Sequence, residues 1–179
     1  GEDYHVMVKS KLYQLLKWIT TFKRNVKGIA CCDTSPVMDK VWAQRSGLGW
    51  VGKHTNLITK DYGSWIFLGE LILDIELDYD LSFEEDLCGS CTACIDSCPT
   101  NALDEYQINA GKCISYLNIE HRGEFVEDNN NLHGWIYGCD VCQNVCPWNN
   151  KFSQNSDENL FKPKEEILNW TDKNWQKLD

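Results

Sequence analysis

The chain has 179 residues, of which 42% are hydrophobic, and its formal net charge is −10. This length suits one domain with or without an appendage, and the hydrophobic share excludes a disordered chain. No apolar run approaches the roughly 18 residues of a membrane helix, and the first residues lack the pattern of a secretion signal. We therefore expect a cytoplasmic protein. Its acidic balance argues against a nucleic-acid surface spread over the whole chain, although it is compatible with a local basic patch.

The first predicted element is an amphipathic helix over residues 3–22. Asp3 is a suitable N-cap, and Gly28 lies beyond the end of the helix. The apolar positions that recur at helical spacing are Val8, Leu12, Leu15, Leu16, Ile19 and Phe22. These side chains should pack on one face, which leaves the lysine-rich remainder of the helix to solvent.

Residues 26–32 predict a short buried strand, and Asp33 follows where that strand should end. Asp33 is by itself an ordinary turn or cap residue. Ser35 as a cap and Pro36 in the first turn then predict a second helix that runs to about Arg45.

Two further strands are predicted over residues 54–59 and 64–73, as antiparallel neighbours around a short turn. Acidic side chains dominate residues 74–86, which we interpret as a linker to a cysteine-rich part. The polar tail, residues 151–179, predicts only a weak helix after Trp170.

Ten cysteines in a chain expected to be cytoplasmic indicate metal binding, because the reducing pool of that compartment keeps thiols free of disulfides. Seven of them form two runs, each followed by proline, and an eighth lies alone between the runs. The first run is Cys88, Cys91, Cys94 and Cys98, the second is Cys139, Cys142 and Cys146, and Cys113 stands between them. Short spacings let successive thiolates converge on one cluster. The last cysteine of a run should start a helix that points away and reaches the other cluster.

This spacing predicts two 4Fe–4S clusters with crossed ligands, as in two-cluster ferredoxins. The first would be held by Cys88, Cys91, Cys94 and Cys146, and the second by Cys98, Cys113, Cys139 and Cys142. Zinc is the alternative, but four cysteines crowded into one run match the paired units of zinc sites poorly. Cys31 and Cys32, on the first predicted strand, are interpreted as small buried residues.

Segments outside the cysteine runs point to a family. They are residues 33–37 (DTSPV), 47–54 (GLGWVGKH) and 68–71 (LGEL), and they accompany the cluster segments CGSCTACIDSCPTNAL, KCISYLNIEHRG and IYGCDVCQNVCPWN. As a set they resemble epoxyqueuosine reductase, over residues 1 to about 150. The resemblance implies an oxidoreductase that converts epoxyqueuosine in tRNA to queuosine, the last step of queuosine formation. It also implies a bound cobalamin that receives electrons from the two clusters.

The resemblance further implies roles for single residues. Asp33 matches the family's acid, which lies near the cobalt and donates a proton to the epoxide oxygen as charge develops there. The other cobalamin contacts that it suggests are Lys53, His54, Asn56, Leu57, Ile58, Leu68 and Tyr116. For Lys53 and His54, contact with tRNA phosphate is the alternative. His121 and Arg122 are predicted to meet tRNA. Glycines 47, 49 and 52 either let the backbone pass close to a flat cofactor or a phosphate, or simply form tight turns.

The expected fold class is α+β. Residues 1–83 would form the C-terminal portion of a mixed α/β cobalamin-binding catalytic domain, residues 84–150 a ferredoxin-like two-cluster domain, and residues 151–179 a polar tail. Compared with the family, the chain starts inside the first domain and stops early, so we expect exposed apolar surface in the first 83 residues.

We expect a monomer without a membrane partner, which takes electrons from an external flavodoxin-like or ferredoxin-like donor. Two other functions stay open. One is another corrinoid iron–sulfur reductase, similar to the reductive dehalogenases, whose typical tyrosine acid and export signal do not match this chain. The other is a plain ferredoxin-type electron-transfer module, which would bind clusters and nothing else.

Overall fold

The computed structural model describes residues 1–123, 132–175 and 177, and within them helices and strands are mixed. The helices are α1 (Tyr4–Phe22), α2 (Asp39–Arg45), α3 (Ala93–Asp96), α4 (Val141–Asn144), α5 (Pro147–Phe152), α6 (Glu165–Leu168) and α7 (Asp172–Trp175). The strands are β1 (Gly28–Cys31), β2 (Trp50–Val51), β3 (Leu57–Ile58), β4 (Glu70–Leu73), β5 (Leu103–Asp104) and β6 (Gln107–Ile108). Two 3₁₀ helices cover Ala110–Lys112 and Asn159–Phe161, and a π-helical turn covers Tyr116–Glu120. Of the helices in these residues, none combines the length and apolar character needed to cross a bilayer.

The chain forms two compact units that alternate along the sequence. The first comprises Gly1–Val37, Gly69–Glu76 and Asn155–Asp179, and the second comprises Met38–Leu68 and Leu77–Gln154. The sequence predicts three consecutive segments instead, and the assignment of functions to those segments stays a prediction.

The first unit consists mainly of α1 and an antiparallel pair, β1 with β4. The predicted helix is confirmed together with its cap, because the Asp3 carboxylate accepts a hydrogen bond from the His5 backbone N–H at 2.9 Å. Helix α1 packs beside Gly28, where an added Cβ would lie 3.0 Å from a methyl carbon of Leu16. The absence of a side chain at Gly28 therefore lets the helix approach the strand.

Apolar surface is exposed in this unit, as expected. Ile29 and Ile72 face each other across β1 and β4 and keep 64% and 51% of their surface exposed. On α1, Trp18 and Phe22 are exposed as well, and they pack edge to face against each other. Contiguous apolar surface that stays exposed to water is unfavourable and is typical of contact surfaces.

Two of the predicted local structures are wrong. Helix α2 begins at Asp39 and not at Ser35, because residues 33–37 form tight turns in which the Val37 N–H donates to the Ser35 carbonyl at 2.7 Å. The segments 54–59 and 64–73 do not form a hairpin. An isolated bridge joins Thr59 to Gly63, the last residue of the predicted turn, whereas β3 pairs with β2 and β4 pairs with β1.

The core of the second unit includes one of the cysteines. Trp50 and Ile58, which are opposite each other in β2 and β3, pack with Cys146, and all three are nearly inaccessible to solvent. Part of the predicted acidic linker also packs here, since Phe83 stacks on Trp50 and exchanges backbone and side-chain hydrogen bonds with Gln44. The segment from 77 onward therefore belongs to the second unit and is more than a connection. The predicted weak helix after Trp170 is confirmed as α7.

Candidate iron–sulfur centre and acid site

Four cysteines of the second unit surround one cavity of about 160 Å³. They are Cys88, Cys91, Cys94 and Cys146, the set predicted for the first cluster. The remaining wall is largely apolar and includes Leu87, Ile58, Pro147 and Trp148. Three cysteines of the first run and the last cysteine of the second run thus meet at one space, which is the arrangement that crossed ligation requires.

Local backbone structure positions these thiols. The Cys91 N–H donates to the Cys88 carbonyl at 3.0 Å, which closes a turn, and Cys94 lies in α3 immediately after it. Cys146 caps α5, with Pro147 in the first turn, as predicted for the residue that leaves the second run. Cys98 differs from the prediction, because the helix of its run, α3, ends before it rather than starting at it.

In the second predicted set, Cys98, Cys113, Cys139 and Cys142, neighbouring thiols affect one another's pKa. Burial, followed by the neighbouring Cys139 and Cys113, raises the pKa of Cys142 to about 12. Cys139 also has a raised pKa, again first through burial and then through Cys113. Thiols must lose their protons to bind iron, so cluster assembly at this set releases protons.

The four thiols of the first set lie around a cavity. Among residues 1–123, 132–175 and 177, no three His, Cys, Asp or Glu side chains are placed to hold a single metal ion. A zinc ion requires its ligands within about 2.3 Å of one centre. The cavity of about 160 Å³ that four thiols line has room for a polynuclear cluster.

Some N–H groups of the second unit donate hydrogen bonds to cysteine sulfur atoms. The Ala102 N–H lies 3.2 Å from Cys98 Sγ, and the Trp50 indole N–H lies 3.5 Å from Cys88 Sγ. At Cys98, burial raises the pKa, but the backbone N–H groups, led by Ala102, together outweigh burial and lower the pKa. Such bonds stabilise negative charge on sulfur and are among the determinants of cluster potential. No sequence pattern indicated either donor.

Lys53 and His54, predicted as cobalamin contacts, line the same cysteine cavity. Both are buried, and the Lys53 ammonium donates to Glu105 Oε1 at 2.7 Å. This hydrogen bond raises the pKa of Lys53, so its positive charge is kept beside the thiols. Burial lowers the pKa of His54 to about 4, so its imidazole is neutral at physiological pH.

Asp33 lies in the first unit, just after β1, with 62% of its side chain exposed. Its backbone has a φ of 54°, in the left-handed region, which non-glycine residues occupy mostly where other contacts enforce it. The Tyr4 hydroxyl donates to Asp33 Oδ2 at 3.1 Å, and His5 Nε2 lies 3.2 Å from the same oxygen. The other ring nitrogen of His5 lies 2.7 Å from Asp3 Oδ1.

The sequence prediction missed both Tyr4 and His5 as partners of Asp33. Burial and the hydrogen bond to Asp33 raise the pKa of Tyr4, which keeps the phenol protonated and able to donate. The contact with Asp3, and to a lesser degree that with Asp33, raises the pKa of His5. The sequence predicted the position of both side chains at the start of α1, but it gave no signal for the packing of α1 against β1.

The other predicted contacts lie in several environments within the second unit. Leu57 and Ile58 are 3% and 0% exposed. Asn56 and Leu68 are half-buried, and Tyr116 is 39% exposed. These assignments stay predictions.

The predicted tRNA contacts are adjacent at the end of the π-helical turn. His121 is half-buried, and the exposed Arg122 donates to the Ile119 carbonyl at 2.9 Å. Their role in tRNA binding stays a prediction.

The three glycines of residues 47–52 approach the protein's own chain. A Cβ at Gly49 would lie 2.0 Å from the Ile58 carbonyl oxygen, and one at Gly47, where φ is 76°, would lie 2.7 Å from that of Leu81. At Gly52 a Cβ would lie 2.5 Å from the Ile58 methyl carbon Cδ1. Packing of the chain thus accounts for these glycines, in agreement with the tight-turn interpretation.

The cysteine arrangement and the mixed fold define the class of the protein, a 4Fe–4S cluster-binding protein. Residues 87–149 match the family described as a 4Fe-4S double cluster binding domain. An epoxyqueuosine reductase of Cellulophaga algicola is 47% identical over 180 residues, which cover 99% of this chain and 58% of the relative.

Two solved structures agree with that similarity. One is the epoxyqueuosine reductase of Bacillus subtilis, in which an aspartate catalytic loop is swung out of the active site. Its TM-score is 0.77 and its sequence identity 34%, and the match covers 86% of this chain and 41% of that one. The other is an epoxyqueuosine reductase with an epoxyqueuosine-modified tRNA-Tyr stem loop, with a TM-score of 0.80 at 35% identity over 93% and 44% of the two chains. The resemblance seen in the motifs is therefore confirmed, and the chain is a relative of the epoxyqueuosine reductases. It spans little more than half the length of the curated relatives it matches.

Proposed function

We propose that the protein reduces epoxyqueuosine to queuosine in tRNA. The observation that carries this proposal is the hydrogen-bonded acid Asp33 in a chain whose cysteines also surround a cluster-sized cavity. Removing the epoxide oxygen as water to leave an alkene consumes two electrons and two protons. A reductase of this kind needs an electron supply and a positioned acid, and the chain offers candidates for both.

Electrons are proposed to arrive through two 4Fe–4S clusters held by the crossed cysteine sets. The cavity formed by Cys88, Cys91, Cys94 and Cys146 supports the first set. For the second set, the support is that Cys139, Cys113 and Cys98 all raise the pKa of Cys142, as Cys94 of the first set also does. An external flavodoxin-like or ferredoxin-like protein would refill the clusters.

Asp33 is proposed to donate a proton to the epoxide oxygen. Tyr4 and His5 both contact Oδ2, so we place the transferable proton on Oδ1. After transfer, the same two contacts stabilise the carboxylate that is left. The exposure of the Asp33 side chain makes it accessible to a bulky substrate such as a tRNA nucleotide.

Cobalamin, which the resemblance implies, would when bound supply the reduced cobalt centre at which the epoxide is reduced. The side chains of Leu57 and Ile58 are buried in the core, and those of Lys53 and His54 line the cysteine cavity. Burial leaves these four side chains little surface for a corrin. The candidates that keep accessible surface are Asp33, Asn56, Leu68 and Tyr116.

The test is turnover of epoxyqueuosine-containing tRNA by the full-length protein with a chemical reductant, in wild type and in Asp33→Asn. We expect the variant to lose at least about 100-fold in rate, the usual contribution of a general acid, while its cluster absorbance is unchanged. Asp80→Asn, an exposed aspartate of the second unit, is the matched control and should keep full activity. A fully active Asp33→Asn would remove Asp33 from the mechanism. Clusters without any product in wild type would favour the electron-transfer module.

A further inference from the structure

His54 is a buried imidazole in the wall of the first cysteine cavity. It lies between β2 and β3, is 3% exposed, and lines the cavity with Cys88, Cys91, Cys94 and Cys146. A histidine is seldom buried this completely without a partner for each ring nitrogen.

One ring nitrogen has such a partner. His54 Nδ1 accepts a hydrogen bond from the Asn56 backbone N–H at 3.2 Å. Because a neutral imidazole carries a single proton, this bond assigns that proton to Nε2. Nε2 is buried and has no hydrogen-bond partner among the residues that the structure describes. His54 therefore presents an N–H donor that still needs an acceptor.

Among the described side chains that line the cavity, the cysteines are the ones that can accept this hydrogen bond. Besides the cysteines and His54, the wall consists of apolar side chains and Lys53, which is a donor already directed at Glu105.

We infer that His54 donates an Nε2–H hydrogen bond to a sulfur of the cluster bound by Cys88, Cys91, Cys94 and Cys146, and that this bond raises the reduction potential of that cluster. The inference rests on the proposed cluster at this set. Reduction adds negative charge to the cluster, and a hydrogen bond to sulfur stabilises the reduced state more than the oxidised one. His54 is thus a positioning residue that acts on the electron supply, and it does not replace a cysteine ligand.

For the direct test, the wild-type protein is produced with isotope-labelled histidine and then reconstituted anaerobically with iron and sulfide. Pulsed EPR of the reduced protein should show a weak nitrogen coupling and a proton coupling that disappears in deuterated water. The absence of any histidine coupling in a protein that holds its iron would overturn the inference. A strong coupling, typical of nitrogen bound to iron, would overturn it as well, because His54 would then be a ligand.

Two variants separate the hydrogen bond from the imidazole. His54→Phe keeps a ring but has no donor, and His54→Gln places an amide N–H near the position of Nε2. In an EPR-monitored redox titration, we expect His54→Phe to shift the midpoint potential of one cluster to a more negative value and to leave the other unchanged. His54→Gln should lose the histidine coupling but keep a potential close to wild type.

Iron and sulfide analysis distinguishes this inference from the proposed function. If the wild-type protein binds no cluster at this set, the proposed cluster assignment fails first. If the cluster is bound and His54→Phe has the wild-type potential, only the role of His54 is wrong. Should His54→Phe lose its cluster, His54→Gln and the labelled wild-type protein still decide the question.

Discussion

The imidazole of His5 lies against the carboxylate of Asp33, with Nε2 at 3.2 Å from Oδ2. The same ring contacts Asp3, the N-cap of α1, at 2.7 Å through Nδ1. Helix capping and the candidate acid are therefore joined by one side chain. This relationship makes the titration of His5 a probe of the acid site.

The pKa of His5 should be raised above 6.5, and Asp3→Asn should lower it more than Asp33→Asn, because the contact with Asp3 is the larger cause. A raised pKa means that the folded state holds the proton more tightly than the unfolded state. The stabilisation by His5 is therefore complete below pH 6.5 and is lost as the pH rises through the folded-state pKa. NMR titration of the imidazole and thermal unfolding across this pH range measure both effects.

The pKa of Asp3 shifts in the opposite direction. The hydrogen bond with the His5 side chain is the main cause that lowers this pKa. The stabilisation of the folded state by Asp3 is therefore present above pH 3.8 and is lost as the pH falls through the folded-state pKa. His5→Gln should remove the loss of stability at rising pH and keep the backbone cap. An unchanged pH dependence in His5→Gln would show that the contact has no energetic effect.

Crossed ligation predicts how many clusters are lost when two given cysteines are replaced together. Cys98→Ser combined with Cys139→Ser should remove one cluster and leave about half of the roughly eight iron atoms. Cys98→Ser combined with Cys88→Ser should remove both clusters, because each residue serves a different one. Iron analysis and EPR of the reduced proteins measure the outcome. Equal iron in the two double variants would contradict the crossing, and Cys31→Ala should keep both clusters.

Asn149 should be important for the stability of the second unit. Its amide accepts from the Ser64 N–H at 2.6 Å and donates to the Gln143 carbonyl at 2.9 Å, while the residue is 2% exposed. Asn149→Ala leaves buried polar groups without partners, which should lower the free energy of unfolding by about 2–3 kcal/mol. Asn150→Ala, at the exposed neighbouring position of α5, should change it by less than about 0.5 kcal/mol. Denaturant unfolding of the cluster-loaded protein compares them.

Gly49→Ala should destabilise the folded protein more than the addition of a single methyl group usually does. The new Cβ would lie 2.0 Å from the Ile58 carbonyl oxygen, so β2 and β3 must separate beside Trp50. Overpacking against a backbone atom should cost about 3 kcal/mol. Gly111→Ala, where the nearest atom is 3.4 Å away, provides the control and should unfold near the wild-type midpoint. Similar midpoints for the two variants would show that the strands can move apart freely.

Some features of this protein follow from residues that are neighbours in the sequence. Helix α1 and its Asp3 cap follow from apolar spacing and a capping side chain, and both are local properties. The cysteine spacing likewise indicated Cys88, Cys91 and Cys94 as ligands of one cluster, since ligand geometry constrains a short loop directly, whereas Cys146 was added from the ligand pattern of two-cluster ferredoxins. The family motifs added a candidate acid, Asp33, at a strand end.

Tertiary structure decided the rest. The pairing of β1 with β4 was missed because an apolar run such as residues 64–73 shows that a strand is present but not which strand it meets. The contacts of Tyr4 and His5 with Asp33 depend on the packing of α1 against β1. His54 was predicted to contact cobalamin, and folding places it beside the cysteines. Periodicity and spacing record local geometry alone, whereas these contacts join side chains that meet only after the backbone has packed.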